Sequence, residues 1–249
     1  MGKITTLLFD CDNTLVLSED LAFEGCADLI NDICQAKQVP LPQPFTGETL
    51  MVEFVGQNFR GMMAALQQRH GFALDPAELD GYVRREEDVV IAKLQAKLRP
   101  CPGVAAVLAA LAAPSPRPRY TLAVVSSSAL RRVQVSVDKV GLGPYFGDRV
   151  YSAATSLPTP TSKPDPAIYL HALQALGKSA AEAVAIEDSK SGTLSGTRAG
   201  IKVIGYVGPY PEQEKEKMRA VLAEAGAVAI MEDWQDFETL LAQVDAGEL

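Results

Sequence analysis

The chain has 249 residues, 47% hydrophobic and 22% charged, with 31 acidic against 23 basic side chains and a net charge of −8. This is ordinary globular usage, which excludes a disordered, collagen-like or coiled-coil chain, and the length suits one large domain or two small ones. An acidic protein lacks the basic footprint that nucleic acid or an anionic membrane requires, so neither is expected as a partner; an anionic substrate would need a local cation to attract it.

Four cysteines, at positions 11, 26, 34 and 101, show no paired spacing. A disulfide framework or zinc site is therefore not expected, and a reducing compartment is. Met1–Thr6 runs directly into an apolar stretch without a leader pattern, and no run approaches the ~18 apolar residues of a membrane span. A soluble cytoplasmic protein, monomer or homodimer, is the expectation.

In chain order, the first apolar run is Leu7-Leu8-Phe9. The stretch 18–97 then contains no clear buried strand. Leu21, Cys26, Leu29, Ile30 and Ile33 recur at helical spacing, as do Val89, Val90, Lys93, Leu94 and Leu98, with Pro40, Pro42 and Pro44 as breaks. This reads as a helical module inserted after the first strand. Arg99-Pro100-Cys101-Pro102-Gly103 marks the return, and an alanine-rich helix over 103–112 ends at Pro114, Pro116 and Pro118. Three further continuous apolar runs follow, Thr121–Val125, Ala183–Ile186 and Lys202–Ile204, with Ala227–Ile230 as a peripheral fifth. Continuous rather than alternating runs suit strands buried on both faces of a parallel sheet. Helices are predicted at 128–139, 165–176, 190–199, 211–225 and 234–244, so the chain reads as α/β with an open sheet. The segment 211–249, with Trp234, is expected to complete the layer covering that sheet. The domains are 1–17 with 98–249, and 18–97.

Chemistry collects at the ends of the strands. The first ends in Asp10-Cys11-Asp12-Asn13-Thr14, and the carboxyl ends of strands are where open α/β sheets bind ligands. A turn would use the same residues. Ser126-Ser127-Ser128 closes the second strand and suits either an anion site or a helix cap. Lys163, before Pro164-Asp165-Pro166, is either a surface lysine or a fixed cation facing the acids; Asp165 reads as the cap of the next helix. Glu187-Asp188-Ser189 closes the third strand and equally suits a helix start. Taken together, Asp10, Asp12, Glu187 and Asp188 converge on one rim, where four carboxylates call for a divalent cation; oxygen ligands suit Mg²⁺.

Asp10-x-Asp12-x-Thr14, Ser126, Lys163-Pro164 and Glu187-Asp188-Ser189 stand in the order of the four motifs of the haloacid dehalogenase superfamily, and the chain resembles its β-phosphoglucomutase-like phosphatases with a helical cap. The resemblance implies a Rossmann-like parallel sheet core with an inserted α-helical cap domain. It implies an Mg²⁺-dependent phosphatase acting on a small-molecule phosphate ester, with Asp10 as nucleophile and Asp12 as acid and base. It also implies phosphate binding by Ser126, Ser127 and Lys163, and a metal held by Asp10, the Asp12 backbone carbonyl, Asp188 and Glu187. Asn13 departs from the pattern, since many members carry glycine there. Asp12 and the Glu187-Asp188 pair speak against a 2-haloacid dehalogenase, and Asp12 against a phosphonate hydrolase. The alternatives are a sugar-phosphate mutase, against which Ser18–Glu24 lacks a histidine, and a non-catalytic module that keeps the fold. Substrate reading falls to the cap loop Val55–Gly61, with Gln57, Asn58 and Arg60 as candidates for a sugar phosphate, although Asn58 equally suits a helix cap. His70 and His171 have no catalytic partner pattern and are expected to pack or face solvent; Tyr206–Tyr210 is a loop that suits the rim of the site.

Overall fold

The computed structural model describes residues 3–54, 57–113 and 120–249. Val55 and Gly56 of the expected cap loop, and the prolines 114, 116 and 118 expected to end a helix, lie outside the described residues. The chain divides into two compact units, 1–17 with 99–249, and 18–98.

The first unit is built on a six-stranded parallel sheet. It begins with β1 (Thr6–Phe9), and the chain leaves after residue 17. On return, α5 (Val104–Leu111) leads to β2 (Thr121–Ser126), α6 (Leu130–Lys139), α7 (Gly143–Phe146) and β3 (Val150–Ser152). Then come α8 (Ala167–Leu176), β4 (Ala183–Glu187), α9 (Lys190–Arg198), β5 (Lys202–Tyr206), α10 (Glu212–Glu224), β6 (Ala229–Met231) and α11 (Phe237–Ala246). The strand order is β3-β2-β1-β4-β5-β6, so the first strand lies at the centre, paired in parallel with β2 and β4. That pairing explains the unbroken apolar runs: β1 and β4 are buried along their whole length, and a strand covered on both faces has no polar side to show. One face packs Leu8, Ala123, Val125, Ala185 and Val203 against Ile168, Tyr169, Ala172 and Leu173 of α8. The other face is aromatic. Phe9 meets Phe146 at 5.9 Å, Trp234 at 6.1 Å and Phe237 at 6.3 Å between ring centroids. The C-terminal segment therefore closes the core, as expected of it, through a fully buried Trp234.

The second unit consists of α1 (Glu19–Ala36), α2 (Gly47–Glu53), α3 (Phe59–His70) and α4 (Pro76–Lys97). Its core draws Leu29, Ile30 and Ile33 from α1, Leu50 from α2, Met63 and Leu66 from α3, and Val90 and Leu94 from α4. At Gly25 of α1 a Cβ would stand 3.2 Å from Val90 Cγ2, so the two long helices cross closely there. Lys93, which the sequence leaves at the edge of the apolar face, pairs with Asp28 at 2.7 Å. Asp75 and Glu78 form a capping box for α4, with Pro76 at its first position. No helix among the described residues is long and apolar enough to cross a membrane.

Removing Trp234 tests the aromatic layer. Trp234→Ala empties a fully buried site and is expected to destabilise the protein by about 3–5 kcal/mol in urea unfolding; a loss under about 1 kcal/mol would mean that the 211–249 segment is not part of the core.

Candidate active site

The carboxyl ends of β1, β2 and β4 lie side by side, and the sequence motifs meet there. Asp10 extends β1, its N–H donating to the Ile186 carbonyl at 3.0 Å. The chain then turns sharply: Asn13 N–H donates to the Val16 carbonyl at 2.7 Å, and Asn13 has φ +58°. This is the left-handed region that favours glycine, and asparagine is among the few other residues that adopt it readily. Asn13 thus makes this turn without a glycine.

Lys163 is the centre of the site. Its side chain is 4% exposed, and its three ammonium protons have three acceptors: Asp10 Oδ1 at 2.6 Å, Glu187 Oε1 at 2.6 Å and the Val125 carbonyl at 2.7 Å. The ammonium also lies 5.2 Å from the Tyr169 ring centroid, a cation–π arrangement. Burial opposes its charge, but the Asp10 and Glu187 carboxylates more than offset that and hold it above the usual lysine range. Burial likewise pushes the Asp10 and Glu187 carboxyls up, against the pull of Lys163.

Glu187 has no solvent exposure. The Tyr169 hydroxyl donates to its Oε1 at 2.5 Å, while its Oε2 is buried without a hydrogen-bond partner among the described residues. Gly192 leaves room for that carboxylate, since a Cβ there would overlap it. The acids are not helix caps: Ser189 takes that role for α9, its Oγ accepting from Gly192 N–H at 3.0 Å. Asp188 receives the Thr14 hydroxyl at 3.5 Å on Oδ1 and the Tyr210 hydroxyl at 3.3 Å on its backbone carbonyl.

Carboxylate oxygens of Asp10, Glu187 and Asp188 lie within 4.8 Å of one another, a group able to hold a metal ion. The fourth expected acid, Asp12, stands outside that group of three. Its Oδ2 accepts from Ser128 Oγ at 2.7 Å, and its Oδ1 lies 3.5 Å from Arg132 Nη2. A serine hydroxyl and a guanidinium thus face this carboxylate.

The serines tie the strand end together rather than capping α6. Ser126 Oγ accepts from Ser128 N–H at 3.0 Å, and Ser127 Oγ accepts from Lys163 N–H at 3.1 Å. Asp165 stands one residue outside the expected cap position: Pro166 is the cap of α8, and Asp165 Oδ1 accepts from Ala167 N–H at 2.9 Å. In the helical unit, Asn58 caps α3, accepting from Gly61 N–H at 2.9 Å. Arg60 pairs with Asp80 at 2.6 Å, half-exposed, and Gln57 is exposed. His171 packs edge-on to Tyr151 at 5.7 Å and His70 to Phe45 at 6.4 Å. Reading the sequence missed Tyr169, Gly192 and Arg132. Only Tyr169 carries a signal, a hydroxyl on the apolar stripe Ile168-Tyr169-Ala172-Leu173, where a buried O–H needs a partner.

The chain is similar to known proteins in sequence and fold. Residues 4–200 match a family model of hydrolases described as haloacid dehalogenase-like hydrolase. The 6-phosphogluconate phosphatase of Escherichia coli K12 is 31% identical over 212 residues, 83% of this chain and 84% of that protein. The phosphorylated carbohydrates phosphatase of Thermotoga maritima is 27% identical over 226 residues, 90% of this chain and 93% of that one. Among solved structures, a haloacid dehalogenase-like protein of Agrobacterium tumefaciens superposes with a TM-score of 0.72 at 27% identity, covering 97% of this chain and 99% of that one. A hydrolase of the same family from Deinococcus radiodurans, with bound phosphate and sodium, gives 0.69 at 25% identity, covering 100% and 99%. The motifs at the strand ends, the parallel sheet that aligns them and these matches lead to one conclusion: the chain belongs to the haloacid dehalogenase-like hydrolases.

Proposed function

We propose that the protein is an Mg²⁺-dependent phosphatase of small phosphorylated metabolites, sugar phosphates above all, working through an aspartyl-phosphate on Asp10. The observation that carries this reading is the buried Lys163 ammonium joined to both Asp10 and Glu187 at 2.6 Å. Such a centre keeps a carboxylate in place at a strand end while lowering the charge that would repel a phosphate dianion. The names of the two phosphatase relatives support the substrate class.

Asp10, Glu187 and Asp188 offer hard oxygen donors with no histidine or thiolate among them, and the buried, unpartnered Glu187 Oε2 is an acceptor in want of a cation. The set fits Mg²⁺ better than zinc. Asp10, Asp188 and the Asp12 backbone carbonyl would hold the ion, with Glu187 a direct or water-mediated ligand. When bound, it supplies Lewis-acid stabilisation of charge on the phosphoryl group.

In this proposal an Asp10 carboxylate oxygen attacks phosphorus and displaces the alcohol. Asp12 gives a proton to the leaving oxygen and afterwards takes one from the water that cleaves the acyl phosphate. Ser126 and Ser127 bind phosphoryl oxygens. Lys163, whose three donors already have protein acceptors, contributes its charge. The helical unit 18–98 acts as the cap that selects substrate, with Gln57, Asn58 and Arg60 as its readers. Four free cysteines support a reducing, cytoplasmic setting.

Two measurements check this. Exhaustive EDTA treatment should abolish phosphate release, and Mg²⁺ should restore it and raise the melting temperature; full activity after chelation would remove the metal from the account. Asp10→Asn should abolish turnover, whereas Asp12→Asn should lose about 10²–10⁴-fold in kcat. Near-normal turnover by Asp10→Asn would refute the covalent step.

A further inference from the structure

The site has a second cation. Arg132 lies in the first turn of α6, just past the carboxyl end of β2. Its Nη2 is 3.5 Å from Asp12 Oδ1, long for a charge-assisted hydrogen bond. Its Nε is buried with no partner among the described residues, and its side chain is 19% exposed. A guanidinium carries five N–H donors in a planar fork, so a single long contact leaves most of them unspent. Asp12 does not account for the arginine either, since Ser128 makes the shorter contact to that carboxylate at 2.7 Å. The other cation of the site has no donor to spare, since Lys163 is saturated by Asp10, Glu187 and Val125. A buried N–H without an acceptor is costly, and a ligand that brings an acceptor removes that cost.

We propose that Arg132 is a specificity-determining residue that receives a carboxylate on the alcohol half of the substrate, so that the preferred esters are phosphorylated hydroxy acids. The inference rests on the phosphatase reading above. There Asp12 faces the leaving oxygen, so the alcohol half lies on the side of the site where Arg132 stands. The planar fork matches a carboxylate bidentately. A monoanion suits the place better than a second phosphate, because Asp12 already stands 3.5 Å from the guanidinium and would repel a dianion more strongly.

The test compares 6-phosphogluconate with glucose 6-phosphate, which present the same ester with and without a carboxylate, and adds fructose 1,6-bisphosphate for a second phosphate. Phosphate release is measured for the wild type, Arg132→Gln and Arg132→Lys, with p-nitrophenyl phosphate as a generic ester. The wild type should favour the acid in kcat/KM. Arg132→Gln should reduce the ratio of acid to aldose by about 10–100-fold, mainly through KM for the acid, and Arg132→Lys should retain part of it. If Arg132→Gln fails to fold, the same ratio in Arg132→Lys decides. An unchanged ratio, no preference for the acid in the wild type, or a dependence on Arg132 confined to the bisphosphate would overturn the assignment. Absence of phosphate release from every ester would instead overturn the phosphatase reading itself.

Discussion

One lysine sets the terms for the site. Lys163 brings a positive charge to a place almost closed to water, and two carboxylates from different strands meet it there. Each ion alone would cost several kcal/mol to bury; together, with a backbone carbonyl as third acceptor, they satisfy one another. The surroundings serve that arrangement. Tyr169 underlies the ammonium and donates to Glu187, Gly192 leaves space for the Glu187 carboxylate, and Ser127 fixes the backbone from which Lys163 extends. The sheet order makes this possible by placing β1 between β2 and β4, so that residues more than 150 positions apart in sequence end side by side.

The same electrostatics separate two aspartates that differ by two positions. Asp10 is held inward by Lys163, while Asp12 faces Ser128 and Arg132. Two carboxylates on one loop thereby acquire different partners, which is what a reaction with separate nucleophilic and proton-transfer roles requires. In the proposed reading, Lys163 and Arg132 supply the local positive charge that an anionic substrate of an acidic protein needs.

Much of this was legible in the sequence, for physical reasons. The central strands announced themselves because burial on both faces removes the alternation that half-buried strands show. β3 went unread: it is three residues long, lies at the sheet edge, and Tyr151 is only half-buried. Within the helical unit, α1 carried a clear stripe, but α2 has one buried residue in seven and gives no period to read. The acids and Lys163 were visible as motifs. Arg132 was not, because its contact is with a residue 120 positions away, and no local pattern records such a pair.

The claim that Lys163 holds the site together is tested most directly by unfolding in urea under chelating conditions. Lys163→Met keeps the volume but leaves Asp10 and Glu187 buried without their countercharge, and it should cost about 3–5 kcal/mol. Adding Asp10→Asn and Glu187→Gln to the same chain removes the orphaned charges and should restore most of that loss. Stability of Lys163→Met within about 0.5 kcal/mol of the wild type would contradict the account.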